Sequence, residues 1–319
     1  MNALGDIAAG YAGGGLREAL AGAARGGLTG VREIRVRLDK PLTIRASGGD
    51  HFIAGDGVIV KEGGRAYKPT RKDISVTLEL LADYSIYAFQ EEIKNGFITI
   101  PGGHRVGLSG RCVCEGGAVT AMKNVSGLCY RVAGEVIGCG DAVIDLLRVN
   151  KGESPRHTMI ISPPGCGKTT LLRDIIRILS HEGLNVGVSD ERGEIAGTRG
   201  GHAGMDLGPS ADVLEGCPKT LGMHMLLRSM SPDVIAADEL GREEELEAAR
   251  DILNAGVSLI CSAHGTGVAD VRAGRILKEI MGFKPPGRAV VLGRGSRPGL
   301  ILGVYDEQYN NLYGGGAVG

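Results

Sequence analysis

The segment HTMIISPPGCGKTTLLRDIIRILSH, residues 157–181, carries the strongest structural signal in this chain of 319 residues. Its apolar run at 158–161 predicts a buried strand, and apolar residues three and four positions apart at 171–179 predict a helix. The SPPGCGKT loop between them is rich in proline and glycine. Glycines let successive backbone amides turn toward an anion, and a helix N-terminus adds partial positive charge. The segment therefore predicts a phosphate-binding loop.

The predicted ligand of this loop is the phosphate chain of a nucleotide together with Mg²⁺. Lys168 would reach the outer phosphates, and the hydroxyl of Thr169 would hold the metal ion. The residues expected to contact the nucleotide are Pro164, Gly165, Cys166, Gly167, Lys168, Thr169 and Thr170. The pattern departs from the usual one at Ser162, where such loops begin with glycine, but serine is small and is tolerated in turns. The alternative is an ordinary turn between a strand and a helix.

The overall composition is that of a globular protein. Hydrophobic residues make up 43% of the chain and charged residues 23%, and the length favours two domains. A net charge of −1 gives no reason to expect non-specific binding of nucleic acid. We find no apolar run that could span a bilayer and no signal-peptide layout in the first 20 residues. We therefore expect a soluble, cytosolic protein.

The seven cysteines are scattered, with no CxxC pair. Cys112 and Cys114 are one residue apart and would point the same way on a strand. A metal site would need two more soft ligands nearby, and none is evident. We expect reduced thiols and not a disulfide framework.

Changes in composition and in residue pattern along the chain suggest three parts. Residues 1–30 are rich in glycine and alanine, with a helical pattern at 16–24, and could be a flexible lead-in, a helical cap or a docking segment. Residues 31–150 predict a smaller α+β domain. Residues 151–319 predict an α/β domain with a parallel sheet, and the turn-prone stretch at 151–155 marks the boundary.

Within the α+β domain, one long helix is predicted over 70–92. Short strands are predicted at 31–38, 41–45, 58–61, 96–100, 104–108, 111–114, 118–123 and 129–132. The helix would cover one face of the sheet that these strands form.

Strands and helices alternate after residue 157, which is typical of a parallel sheet with helices on both faces. Further strands are predicted at 185–189, 234–237 and 257–262, with edge strands at 289–292 and 300–305. Helices are predicted at 220–230, 243–254 and 268–281. The glycine-rich stretch 193–218 is expected to be a long loop and 314–319 a disordered tail.

Two carboxylates, Asp238 and Glu239, follow the apolar strand at 234–237. We expect this strand to lie beside the phosphate-loop strand, so that both end at the edge of the sheet where ligands bind. Asp238 would then orient Mg²⁺ or its water, and Glu239 would polarise the attacking water. The alternative is a helix N-cap region.

His264 ends the next strand and is expected at the same edge of the sheet. It could contact the γ-phosphate or the attacking water and report the state of the nucleotide, although a lone histidine is more often structural. The acidic segment SDERGE at 189–194 ends the second strand, and its carboxylates, including Glu194, could hold water or metal. A solvated charge cluster is the alternative for that segment.

Arginine is the side chain suited to neutralising phosphate charge, and a neighbouring subunit often supplies it. The candidates are Arg105, Arg111, Arg199, Arg228 and Arg242. Nothing in their spacing favours one of them, because most surface arginines are merely solvated.

Two runs, LLRSMSPDVIAADE at 226–239 and SAHG at 262–265, resemble the secretion ATPases of types II and IV and the pilus motors. A closer resemblance, to the stage III sporulation AA family of endospore-forming bacteria, extends over about residues 30–305. It is carried by EIRVR at 33–37, GGHRVG at 102–107, PPGCGKTTLLRD at 163–174 and DERGE at 190–194.

The resemblance implies a RecA-like P-loop ATPase of the mother cell. Such a protein would form a ring of six subunits on the cytoplasmic face of a channel that links mother cell to forespore, held at the inner membrane by partner proteins. Nucleotide would lie between the two domains and near the neighbouring subunit. Glu194 falls in the acidic box of the secretion ATPases, His264 in their histidine box, and Glu239 on their catalytic carboxylate. Asp238 stands where the pilus motors have glycine.

Two other functions stay open. A nucleic-acid-translocating RecA-like ATPase would need basic loops and aromatic residues along a pore, which the near-neutral charge does not favour. A nucleotide-gated scaffold would bind ATP and hydrolyse it negligibly. The intact set of Lys168, Thr169, Asp238 and Glu239 indicates a capacity for hydrolysis but not its rate.

Overall fold

The computed structural model divides into two compact units, residues 1–134 and 135–319, which we describe separately. The residues described are 3–46, 48–85, 90–94, 96–132, 135–148, 154–198, 204–267, 269–270, 278, 282, 287–295 and 299–314.

The first unit is built on an antiparallel sheet of seven strands in the order β4-β3-β2-β1-β7-β6-β5. The strands are β1 (Glu33–Arg37), β2 (Thr43–Ala46), β3 (Gly49–Ile53), β4 (Ile59–Val60), β5 (Phe97–Ile100), β6 (His104–Glu115) and β7 (Ala118–Arg131). Alternation of apolar and charged residues gives the sheet one buried face, which carries Ile34, Val36 and Tyr130. The predicted α+β architecture of this region agrees with the structure.

The first 30 residues form two helices, α1 (Ala3–Tyr11) and α2 (Gly14–Arg25). Their apolar side chains, including Leu4 and Leu16, are buried in the same core as the sheet. Tyr130 of β7 donates its hydroxyl hydrogen bond to the carbonyl of Tyr11. Among the alternatives for this segment, the structure therefore favours a packed helical element over a flexible lead-in.

The helix predicted over 70–92 is wrong in its extent. The structure has α3 (Arg71–Leu81) and a short α4 (Gln90–Lys94), while residues 86–89 lie outside the described part of the chain. Thr70 and Asp73 form a capping box that begins α3. The helix ends because Asp83 and Tyr84 adopt left-handed backbone conformations, with φ of +45° and +60°.

Two further corrections concern the strands of this unit. The short strands predicted between residues 104 and 132 merge into one long hairpin of β6 and β7, because bulges near Ser109 and Val113 let pairing continue. Strand β3 was not predicted, since its segment GDHFI lacks a clear alternation.

The second unit contains a seven-stranded sheet in the order β10-β9-β11-β12-β8-β13-β14. Its strands are β8 (Thr158–Ser162), β9 (Val186–Asp190), β10 (Ala211–Glu215), β11 (Val234–Ala237), β12 (Ser258–His264), β13 (Arg288–Gly293) and β14 (Leu300–Tyr305). All neighbouring pairs are parallel except β13 with β14. Strands β8, β9 and β11 are buried along their whole length, as a sheet covered on both faces requires.

The strand order corrects the expectation that β11 lies beside the phosphate-loop strand. Strand β12 lies between β11 and β8 and pairs with both. Strand β13, expected at an edge, is interior, because it pairs with β8 on one side and β14 on the other. The real edge opposite β14 is β10, which lies within the stretch predicted as a long loop.

The second unit contains the helices α5 (Lys168–His181), α6 (Lys219–Ser229) and α7 (Glu243–Asn254), close to the predicted bounds. Residues 135–148 also belong to this unit, because Val143 and Leu147 are buried in its core. The division therefore falls earlier than the boundary expected at 151–155. The helix expected over 268–281 lies mostly outside the described residues. Within the described residues, no helix is long and apolar enough to cross a membrane.

Candidate active site

The phosphate-loop segment leads from the end of β8 into α5. Gly165 and Gly167 have φ of +76° and +97°, conformations that a side chain would strain. Gly167 is the N-cap of α5 and offers no capping side chain. Within the described residues, the first amide of this helix to donate to a carbonyl is that of Leu171, to Gly167 (2.9 Å). The preceding amides are therefore available to an anion, as a helix N-terminus provides.

Lys168 is the first residue of α5, and its side chain is only 6% exposed. Its Nζ lies 3.2 Å from Nδ1 of His264 and 3.7 Å from Oε1 of Glu239. Nε2 of His264 lies 2.9 Å from the same carboxylate oxygen. The structure thus brings together three side chains that the sequence predicted for one site, although they come from α5, β12 and the turn after β11.

Thr169 and Asp238 also meet. The Thr169 hydroxyl donates to Oδ2 of Asp238 over 3.0 Å. The other carboxylate oxygen of Asp238 accepts a hydrogen bond from the hydroxyl of Ser262, on β12. Because β12 lies between β11 and β8, Ser262 is placed to bind the carboxylate oxygen of Asp238 that Thr169 does not contact.

Ser262 was missed by sequence reasoning. Its Oγ accepts the amide of Glu239 over 3.1 Å, and its carbonyl accepts the amide of Leu240 over 2.9 Å. The side chain of Ser262 is fully buried. Its position two residues before His264, on a strand predicted to reach the site, was the one signal that could have found it.

The three carboxylates of the acidic segment 189–194 differ in exposure: Asp190 is buried, Glu191 is exposed and Glu194 is half-buried. The buried carboxylate of Asp190 accepts the amides of Glu194 (2.8 Å), Ile195 (3.0 Å) and Ala196 (2.9 Å). Burial raises the pKa of Asp190, and these amide hydrogen bonds oppose that rise. Asp190 therefore shapes the loop that carries Glu194.

Arg173 of α5 also holds this loop. Its guanidinium donates to the carbonyls of Ile195 (2.7 Å) and Glu194 (2.8 Å), and burial lowers its pKa. The helix that begins at the phosphate loop is thus tied directly to the acidic segment.

A cleft of about 580 Å³ opens beside these groups. It is lined by Ser189, Asp190, Glu191, Arg192, Glu194, Lys219, Asp238, Glu239, Leu240, Gly241, Arg242, Glu243, Glu245, Ala263 and His264. The cleft is therefore lined by three of the predicted site residues, Glu194, Glu239 and His264. Carboxylates outnumber cations in this lining, so the cleft suits a cationic or metal-bound group better than a bare anion.

The candidate arginines are distributed over the two units. Arg242 lines the cleft, and Arg228 is exposed on α6. In the first unit, Arg105 stacks on Phe97 at 4.7 Å, and Arg111 is exposed on β6. Arg199 lies outside the described residues.

The residues present fit a magnesium-nucleotide better than a metal held by protein alone. Within the described part of the chain, no group of three or more His, Cys, Asp or Glu residues could hold a metal ion. Thr169 and Asp238 offer one hydroxyl and one carboxylate, which matches the preference of Mg²⁺ for few protein ligands plus phosphate oxygens and water. The seven cysteines are free, and Cys166 lies buried in the phosphate loop.

Comparison with known proteins identifies relatives of this chain. A family model described as sporulation stage III, protein AA, matches residues 13–312. The stage III sporulation protein AA of Bacillus subtilis (strain 168) is 37% identical over 287 residues, covering 88% of this chain and 89% of that protein.

Two solved structures share the fold. The Legionella pneumophila ATPase DotB matches with a TM-score of 0.52 at 15% identity, covering 82% of this chain and 72% of that one. The pilus retraction motor PilT with bound ADP matches with a TM-score of 0.52 at 14% identity, covering 82% and 74%. This likeness confirms the P-loop ATPase fold predicted from the sequence.

Proposed function

We propose that this chain, which belongs to the sporulation stage III protein AA family, binds ATP with Mg²⁺ and hydrolyses it to ADP and phosphate. The observation that carries the proposal is the meeting of the phosphate-loop residues Lys168 and Thr169 with the carboxylates Glu239 and Asp238. These are the four groups that phosphoryl transfer to water requires: a phosphate-binding cation, a metal-binding hydroxyl, a metal-orienting carboxylate and a base.

The role of each residue follows from its position. Lys168 would neutralise charge on the outer phosphates, and the amides of 165–170 would bind the phosphate oxygens. Thr169 and Asp238 would hold Mg²⁺, which when bound neutralises phosphate charge. Glu239 would orient water and accept its proton, while His264, in contact with both Lys168 and Glu239, would sense the γ-phosphate. Glu194, on the acidic loop, would help to hold water or the metal ion.

The biological setting is inferred from the family and from the resemblance to secretion ATPases. The protein would self-associate, as a hexameric ring, on the cytoplasmic side of a membrane channel complex formed during sporulation in the mother cell. It would be peripheral to the inner membrane through partner proteins and would energise or assemble that channel. An arginine from a neighbouring subunit would complete each site, and no direct contact with nucleic acid is expected.

The test is ATP turnover measured against protein concentration for the wild type, Glu239→Gln and Lys168→Ala. We expect turnover per subunit to rise as the protein self-associates and to be lost in both variants. Glu239→Gln should still bind ATP, because it leaves Lys168 and the phosphate loop unchanged.

Two other outcomes would redirect the proposal. If the wild type binds ATP but turns over no faster than Glu239→Gln at any concentration, a nucleotide-gated scaffold becomes the better description. Stimulation of turnover by DNA would instead favour a nucleic-acid translocase.

A further inference from the structure

Lys219 is a largely buried cation beside the candidate active site that the proposed chemistry does not use. It is the first residue of α6, and its side chain is 10% exposed. Its ammonium donates to the main-chain carbonyl of Glu239 and to Oε1 of Glu245 (3.2 Å). A lysine is seldom buried unless its charge is paired, so its location next to the proposed base requires an explanation.

Glu239 itself has an unusual backbone. Its φ is +44°, in the left-handed region where a residue with a Cβ is strained by about 1–2 kcal/mol. Such a conformation persists only when surrounding groups hold it. The amide of Glu239 is held by Ser262, and its carbonyl is held by Lys219.

We infer that Lys219 is a positioning residue that holds the turn after β11 so that the carboxylate of Glu239 faces Lys168 and His264. The inference rests on the proposed ATPase function for its catalytic consequence. Lys219 touches the main chain of Glu239 and not its carboxylate, so it acts on the base through the backbone. The carboxylate keeps its 2.9 Å contact with Nε2 of His264.

Glu245 supplies the balancing charge. Burial alone would raise the pKa of Glu245, but amide hydrogen bonds from Gly241 and Arg242, together with Lys219, lower it below its ordinary value. Glu245 is therefore ionised at neutral pH and neutralises Lys219. With its charge balanced in this way, Lys219 can donate to the Glu239 carbonyl without drawing the Glu239 carboxylate toward itself.

The main chain of Lys219 is anchored as well. Its carbonyl accepts the hydroxyl of Ser189, near the end of β9. Lys219 thus links three segments that line the cleft: the end of β9, the turn after β11 and the start of α7. A shift in any of them would be transmitted to the backbone of Glu239.

The variant to make is Lys219→Met together with Glu245→Gln. Lys219→Met alone would leave the buried carboxylate of Glu245 unpaired and could unfold the unit for that reason. The double change removes both charges and keeps an acceptor for the Gly241 and Arg242 amides. Glu245→Gln alone is the comparison, because it retains the ammonium that holds Glu239 and offers that ammonium an amide oxygen in place of the carboxylate.

We expect the double variant to bind ATP within about threefold of the wild type and to lose about 10²-fold in turnover, the effect of a displaced catalytic group. Hydrogen exchange of the amides of Glu239 and Leu240 should become faster than in the wild type. Glu245→Gln should show slower exchange at both amides and higher turnover than the double variant, because its ammonium still donates to the Glu239 carbonyl.

Two results would overturn the inference. One is a folded double variant in which the Glu239 and Leu240 amides exchange as slowly as in the wild type. The other is a double variant whose turnover equals that of the wild type. Failure of the proposed function looks different. In that case the wild type turns over no faster than Glu239→Gln, while the exchange measurement still decides whether Lys219 holds the turn.

Discussion

The hydroxyl of Thr169 and the carboxylate of Asp238 are joined by a 3.0 Å hydrogen bond, although their elements belong to strands that are not neighbours in the sheet. Thr169 follows β8 through the phosphate loop, and Asp238 follows β11. The two residues meet because parallel strands end at one edge of the sheet. Ser262, on the intervening β12, donates a hydrogen bond to the carboxylate of Asp238. This pair is the proposed metal-binding element of the site.

Thr169→Ala should weaken binding of Mg²⁺-ATP by about tenfold or more, because the hydroxyl proposed to hold the metal is removed. Calorimetric titration with ATP in the presence and absence of Mg²⁺ measures the effect. Thr169→Ser, which keeps the hydroxyl, is the control and should bind nearly as the wild type does. An equal loss with and without Mg²⁺ would show that Thr169 does not act through the metal.

Asp190→Asn should destabilise the second unit by about 1–3 kcal/mol, because an amide NH₂ group would face backbone amides where the carboxylate now accepts three hydrogen bonds. Urea unfolding gives the free energy. Glu191→Gln, a change at an exposed neighbour, is the control and should have little effect. Equal stability of the two variants would contradict the structural role assigned to Asp190.

Stability of the second unit should fall as pH is lowered from about 6.5 toward 4, in part through His157. This side chain is buried, and its Nδ1 accepts the amide of Leu259 over 3.3 Å. Burial, and secondarily the charge of Arg156, lower its pKa to about 4. Between these pH values the unfolded chain binds a proton at His157 that the folded chain does not bind. The free energy of unfolding therefore falls by up to about 1.4 kcal/mol for each pH unit that the pH is lowered.

His157→Asn keeps an acceptor for the Leu259 amide but removes the titrating group. The pH dependence of its unfolding free energy, from urea titrations between about pH 7 and pH 5, should be shallower than that of the wild type. If the two slopes coincide, His157 is not the group responsible.

Gly22→Ala should destabilise the first unit by about 2 kcal/mol or more, although alanine favours helices. A Cβ at Gly22, in α2, would lie 2.3 Å from the carbonyl oxygen of Asp56 and 2.7 Å from Cα of Gly57. Gly10→Ala, in α1, is the matched control, because a Cβ there meets no atom within 4 Å. Thermal unfolding should separate the two variants. Equal melting temperatures would mean that α2 does not pack closely on the Asp56 turn.

Local patterns in the sequence were sufficient for much of the second unit. Strand β11, helix α7 and strand β14 have the predicted bounds, because their periodicity and flanking turn residues lie within each segment. The phosphate loop and the family were also recognisable from contiguous residues, since the physics of a glycine turn before a helix is local. The roles of the site residues stay predictions.

Other features depended on contacts between distant segments. The insertion of β12 between β11 and β8 is set by how the crossover helices pack, which no short pattern encodes. The helix predicted over 70–92 was broken at Asp83 and Tyr84 by left-handed conformations that helical periodicity does not report.

The sequence by itself therefore determined the family, the glycine loop between a strand and a helix, and the alternating α/β plan, because each of these is a property of neighbouring residues. Only the tertiary structure decided that Ser262 supports Asp238 and that Lys219 holds the backbone of Glu239. A single buried serine or lysine carries no local signal, and its meaning comes from the groups that folding places within hydrogen-bonding distance of it.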